Sequence, residues 1–143
     1  MTVGLDLSNF EKAQLQLESV AERSKDEAFM AAQDEITRNA IRSGAIQHFE
    51  IVYELCWKFM RRWIRENRTL EEADHARTRK DLFRLAARCG LIRDPLTWFA
   101  YAEARNLSVH TYNQKEADAV YSLIEPFVRD ARYLLERLRE TND

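Results

Sequence analysis

The sequence predicts an all-α fold, and three observations support it. Only three glycines and two prolines occur in 143 residues, too few for the turns a sheet would need. Apolar residues recur every three to four positions rather than alternating. Residues suited to helix starts recur along the chain with an acid three places later. A length of 143 residues suits one domain with a single core. The expectation is therefore a single domain, 1–143, folded as an antiparallel bundle of four to five helices.

The first helix is expected to open on Ser8 with Glu11 as its capping box and to end near Arg23, with Phe10, Ala13, Leu17 and Val20 on its apolar stripe. Ser24 with Glu27 repeats the box and starts a second, long helix reaching about Asn67. Its weak point is Ser43-Gly44, since glycine costs roughly 1 kcal/mol relative to alanine inside a helix. The second half of this helix gathers Phe49, Val52, Tyr53, Cys56, Met60 and Trp63, widened by Ile46 and Trp57. That face is broader than one neighbour requires and hints at self-association.

Residues 67–77 read as a loop. Thr78 with Asp81 opens the third helix, which Gly90 closes as a left-handed C′ residue with Leu91 making the contact that follows. Asp94-Pro95 starts the fourth as N-cap and first helical residue, and Leu96, Trp98, Phe99 and Ala102 carry it toward Arg105. Asn113 with Glu116 opens the fifth, with a stripe of Ala117, Val120, Ile124, Phe127, Ala131, Leu134 and Leu138. Pro126 lies inside that stripe and is expected to kink it.

Charge and composition exclude several classes. A net charge of −2 and a pI near 6.0 do not describe a basic nucleic-acid coat. The distribution is uneven: residues 61–80 hold seven bases against four acids, including Arg61, Arg62, Arg65 and Arg68. That run reads either as a guide for RNA or as a solvated helix face. No apolar stretch reaches the length of a membrane span and no signal peptide is recognisable, so a cytoplasmic protein is expected. Cys56 and Cys89 fall in helical apolar patterns and read as reduced core residues. Glu72-x-x-His75 lacks the second half that a di-metal bundle site requires, and His48 has no ligand-spaced neighbour, so no metal and no cofactor are expected. A phosphate-binding glycine loop is absent as well.

The segment RNLSVHTY, 105–112, interrupts the helical stripe and concentrates Arg105, Asn106, His110 and Tyr112. Arginine offers a planar fork of donors matched to phosphate oxygens. Histidine exchanges a proton near neutral pH. Without a carboxylate cluster for metal, the pair suits cleavage of RNA by its own 2′-hydroxyl; the plainer reading is a pair of helix-junction caps. On a continuous helix, Arg105 and His110 would lie ~140° apart, so a bend or a second subunit is needed to converge them. Glu50 and Glu54 have two readings: Glu54 pairs with Lys58 one turn on, or one of the acids reaches and orients Arg105.

The pattern R-x4-H, with an amide after the arginine and x-Y after the histidine, resembles the motif of the HEPN superfamily. More narrowly, IQHFEIVYELCWK (46–58), DLFRLAARCGLI (81–92) and TWFAYAEARNLSVHTY (97–112) resemble the nucleotidyltransferase substrate-binding proteins, helical partners of minimal nucleotidyltransferases. The resemblance implies a HEPN-like homodimer with its cleft at the subunit interface. It also implies a metal-independent endoribonuclease acting as the toxin of a toxin–antitoxin pair. Carried over, Arg105 and His110 are the catalytic pair and Asn106 supports them. Tyr112 matches a position that the antitoxin nucleotidyltransferase can modify with AMP, and otherwise reads as a cap or a cleft-lining residue. Two alternatives stand beside the enzyme: a non-catalytic nucleotide- or substrate-binding subunit of a two-component nucleotidyltransferase, and a structural bundle whose motif only caps helices.

Overall fold

The computed structural model describes residues 4–109 and 113–141, and these form eight helices with no strand among them. They are α1 (Ser8–Lys25), α2 (Glu27–Ala31), α3 (Glu35–Asn67), α4 (Leu70–His75), α5 (Arg79–Arg88), α6 (Pro95–Ser108), α7 (Gln114–Ser122) and α8 (Ile124–Glu140). The all-α expectation holds. The five expected helices become eight: the second divides into α2 and α3, α4 is added, and the last divides into α7 and α8.

Local chemistry explains most boundaries. Thr78, Asp94 and Asn113 accept first-turn amides from Asp81, Leu96 and Glu116, as their positions predict. Past α5, Gly90 sits at φ 80°, Gly90 N–H donates to Ala87 O and Leu91 N–H to Ala86 O. This pair of bonds is a Schellman closure, and Leu91 is fully buried as its hydrophobic contact.

Four expectations need correction. Ser8 does not cap α1: Asp6 accepts from both its amide and its hydroxyl, and buried Leu7 occupies the N-cap position. Ser24 belongs to the end of α1, where its hydroxyl donates to Ala21 O and meets the Tyr121 hydroxyl at 2.6 Å. The long second helix is broken before α3, with Asp26 capping α2 through Phe29 N–H and Asp34 capping α3 through Thr37 N–H. Finally, residues 70–75 are helical because Thr69 accepts from Glu72 N–H. Gly44 leaves α3 unbroken. At Pro126 the missing N–H deprives the Ser122 carbonyl of its partner. The ladder separates α7 from α8 at Leu123, whose backbone stays right-handed helical at φ −89° and ψ −9°.

The long α3 is the central post against which α1, α5, α6 and α8 pack. Phe127 of α8 meets Phe49 of α3 at 4.8 Å, and Tyr101 and Trp98 of α6 at 5.0 and 5.8 Å, all edge-on. Phe83 brings α5 onto Trp98 at 5.7 Å. A fork from Arg132 to Glu18, at 2.6 and 2.8 Å, ties α8 to α1. The wide apolar face of α3 is largely consumed within the chain: Phe49, Val52, Tyr53, Cys56 and Met60 are buried, and Trp63 donates to the Thr141 hydroxyl. Cys56 is buried, while Cys89, at the half-exposed C-cap of α5, is less enclosed than a core residue; both are free thiols. No helix among the described residues is long and apolar enough to cross a membrane.

The two described glycines outside the N-terminus predict opposite responses to alanine. At Gly90 the left-handed backbone strains any side chain, so Gly90→Ala should cost about 1–2 kcal/mol. At Gly44 a methyl group meets nothing within 4 Å, so Gly44→Ala should gain roughly 0.5–1 kcal/mol. Urea unfolding midpoints moving in the same direction for both would contradict these assignments.

Candidate functional site at the end of helix α6

The site is built on the inward face of α6. Trp98 and Tyr101 are buried there, and Arg105, seven residues after Trp98, lies within ~20° of it on the helical wheel. The Tyr101 hydroxyl donates to Asp130 Oδ2 at 2.5 Å and fixes α6 against α8. Burial and the Asp130 carboxylate push the Tyr101 phenol far above its ordinary range, so it stays a neutral donor. The helix continues through Arg105 and Asn106 to Ser108, later than the sequence pattern suggests. Ser108 helps close it by donating from its hydroxyl to Arg105 O.

Arg105 points at α3. Its guanidinium lies 3.7 Å from Glu50 and 3.5 Å from Glu54, which face the same way because they are one helical turn apart. Of the two readings for these acids, the interhelical one is observed. Lys58 instead lies over the Trp57 ring, and Glu54 accepts from Trp57 Nε1 at 3.0 Å. The Arg105 side chain keeps 24% of its surface, so the pairs are partly desolvated.

The geometry of these pairs is loose. Arg132 grips Glu18 and Arg68 grips Glu72 with two hydrogen bonds each. Arg105 makes no hydrogen bond to either of its acids, and its buried Nε has no hydrogen-bond partner among the described residues. The guanidinium is thus oriented by charge from one side, and among the described residues no hydrogen bond closes its fork.

Asn106 is exposed beside it. His110 and Tyr112 follow the Val109 C-cap of α6 but lie outside the described residues. The other singled-out groups are engaged elsewhere. The Glu72 carboxylate is held by Arg68, His75 Nδ1 meets Glu71 O at 2.7 Å, and His48 is half-exposed in a shallow groove with Leu15 and Phe29. Among the described residues no cluster of three or more His, Cys, Asp or Glu forms a metal site.

A second feature adjoins the first. Arg61 and Arg65 of α3, Arg77 and Arg79 line a concavity of about 430 Å³ with Trp57, Thr78 and Asp74. Arg79 stacks 3.9 Å above the Trp57 ring and donates to the Tyr53 hydroxyl at 2.9 Å. Burial raises the Tyr53 phenol above its ordinary value even against the neighbouring guanidinium, so it too remains protonated. Arg61 and Arg65 were legible as a basic run; Arg77 lies in the connection before α5 and Arg79 opens α5, and only the fold brings the four together. Arg62, over Phe59, and Arg68, paired with Glu72, have other neighbours.

Residues 5–140 match the family described as nucleotidyltransferase substrate binding protein like. The chain belongs to that family. It is 38% identical over 142 residues to a Haemophilus influenzae protein named probable ribonuclease HepT, covering 99% of this chain and 97% of that one. A solved Haemophilus influenzae structure, described as revealing the fold of a substrate binding domain of a nucleotidyltransferase, is similar at a TM-score of 0.87 and 38% identity, over 94% of this chain and 99% of that one. A crystal structure from Thermus thermophilus is similar at a TM-score of 0.66 and 29% identity, over 91% and 98% of the two chains. The family resemblance in the sequence is thereby upheld across nearly the whole chain.

The Arg105 contact predicts a measurable coupling. A double-mutant cycle between Arg105→Ala and Glu54→Gln, read by urea unfolding, should give about 1 kcal/mol. A coupling of zero would mean that the acid does not hold the guanidinium.

Proposed function

We propose that this protein is a metal-independent endoribonuclease, the toxin of a pair whose antitoxin is a minimal nucleotidyltransferase. The observation that carries the reading is the unspent fork of Arg105, aimed by Glu50 and Glu54 without being consumed by them. Similarity to a protein named probable ribonuclease HepT supports the same reading.

In the proposed reaction, His110 takes the proton from a ribose 2′-hydroxyl, whose oxygen attacks the adjacent phosphorus. Arg105 donates to the phosphorane oxygens as negative charge accumulates on them. The P–O5′ bond breaks, the departing 5′ oxygen receives a proton, and a 2′,3′-cyclic phosphate remains. One chain contains a single motif histidine, so a homodimer with the cleft on its two-fold axis would supply the base and the acid from two copies of His110. Exposed Asn106 is then available to the bound strand. The two acids beside Arg105 also set a limit: phosphate must compete with carboxylates that already partly neutralise the guanidinium. Loose contacts make that competition cheaper than opening a closed fork such as Arg132–Glu18.

Silencing would occur when the Tyr112 hydroxyl attacks the α-phosphorus of ATP on the nucleotidyltransferase, forming tyrosyl-AMP and releasing pyrophosphate. The adduct would bring a phosphate to Arg105 and occupy the substrate's place. The second reading, a non-catalytic subunit that binds a nucleotide or substrate for such an enzyme, is favoured by the family description and by the solved Haemophilus relative.

Purified protein should cut single-stranded RNA in EDTA and leave 2′,3′-cyclic phosphate ends, and should not cut DNA. Arg105→Ala and His110→Ala should each lower the rate by roughly 100-fold or more. Undiminished cutting by either variant rejects the mechanism; nucleotidyltransferase binding with no RNA cleavage by the unsubstituted protein selects the subunit. Tyr112→Phe should continue cutting in the presence of the partner enzyme and ATP, conditions that stop the unsubstituted protein. Silencing of that variant to the same extent would remove Tyr112 from the regulation.

A further inference from the structure

We propose that the concavity formed by Arg61, Arg65, Arg77 and Arg79 is a phosphate-binding subsite for single-stranded RNA, holding the strand beside the phosphodiester presented to Arg105. The inference rests on the ribonuclease reading and adds a substrate-binding surface to it.

Charge is the first argument. Four guanidinium groups and one carboxylate, Asp74, line the concavity, so its side chains sum to +3 (4 − 1) in a chain whose net charge is −2. Arg61, Arg65 and Arg77 are exposed and have no ion-pair partner among the described residues, whereas neighbouring Arg68 closes on Glu72. Gathering unpaired cations costs Coulomb energy unless an anion joins them. A merely solvated helix face would spread its charges or lace them with acids one turn away.

The second argument is rigidity. Arg79 is held from two sides, by the Trp57 ring and by the Tyr53 hydroxyl, so little side-chain entropy remains to be lost on binding. The Arg79 guanidinium already covers the Trp57 ring, so binding here is carried by cations that track the strand's phosphates rather than by base stacking. A concavity of about 430 Å³ also suits a phosphate with its nucleoside better than the flat surface of an acidic protein.

Position is the third argument. Glu50, Glu54, Trp57, Arg61 and Arg65 fall within ~80° of one another on α3 and form one stripe. Its upper end meets Arg105 through Glu50 and Glu54, and its lower end lines the concavity. Trp57 belongs to both, donating to Glu54 while carrying Arg79 on its ring. Seven residues separate Glu54 from Arg61, about 10 Å along the helix. A strand lying along this stripe would have one phosphate at Arg105 and another among the four arginines.

The test uses the full chain carrying His110→Ala, which removes the base and keeps Arg105, so that binding is read without cleavage. Anisotropy of a labelled single-stranded oligoribonucleotide is followed from low to high KCl, with and without Arg61→Gln, Arg65→Gln and Arg77→Gln together. Arg79 is kept because it packs on the core. Removing three phosphate contacts should reduce the slope of log K against log salt by about 2 and weaken binding at least about tenfold at low salt. The exposed α3 residue Arg42, changed to Gln as a control, should leave the slope as it was. An unaltered slope and affinity in the triple variant overturn the subsite while leaving the nuclease intact. Loss of ATP binding, or of nucleotidyltransferase binding, with oligonucleotide affinity preserved assigns the surface to a free nucleotide or to the partner and also overturns it. Failure of the His110→Ala parent, which keeps Arg105, to bind RNA at all would instead remove the ribonuclease reading on which the proposal stands.

Discussion

The contact on which the rest depends is the edge-on cluster of Phe127 with Phe49, Trp98 and Tyr101. It joins α3, α6 and α8 in the middle of the core, and it sets how far α6 is advanced along α3. Glu50 follows Phe49 directly in sequence and Glu54 follows Tyr53, while Arg105 continues the face of α6 that holds Trp98 and Tyr101. Packing the aromatic rings therefore determines where guanidinium and carboxylates meet. A shift of α6 by one turn, ~5.4 Å, would carry Arg105 out of reach of one of the two acids, which lie about 6 Å apart along α3. The apolar contacts thus supply the energy, and the charged contact inherits its geometry.

This division explains the unusual looseness of the Arg105 pairs. Elsewhere the chain closes arginine forks fully where they serve cohesion, as between α8 and α1 through Arg132 and Glu18. Hydrogen bonds from Arg132 and Gln14 outweigh burial there and hold the Glu18 carboxyl below its ordinary value. At Arg105 the aromatic cluster already secures the helix pair, so the fork need not close. Donors left open in a partly desolvated setting are the arrangement an incoming oxyanion can use, since their orientation has been settled in advance.

How much of this was legible in the sequence depends on the range of the interactions. Thr78, Asp94, Asn113 and Gly90 act on amides or carbonyls within a few residues, and each was found from spacing alone. Ser8 has the same local signature and failed, because Asp6 competes for its amide and hydroxyl while burial draws Leu7 inward. The break before α3 carries no glycine or proline; its signal was Asp34 ahead of Glu35-Ile36-Thr37, a cap followed by an acidic first turn. At the site, Arg105 and the candidate role of Glu54 were readable. The choice between Lys58 and Arg105 as the partner of Glu54 was not, because it depends on which helix lies across α3.

The basic concavity marks the further limit of such reading. Arg61 and Arg65 stand out as a charge run, but a run on one helix has no shape. Shape comes from Thr69, which folds α4 into the connection, and from Thr78, which starts α5 so that Arg79 falls back over Trp57. Two threonine caps thereby convert charge on a helix into a walled site, and Trp57 joins that site to the Glu54–Arg105 contact. Because α3 bears both features on one stripe, Trp57 borders both, donating to Glu54 and lining the concavity. The two are parts of one surface, with α3 as its rigid backing.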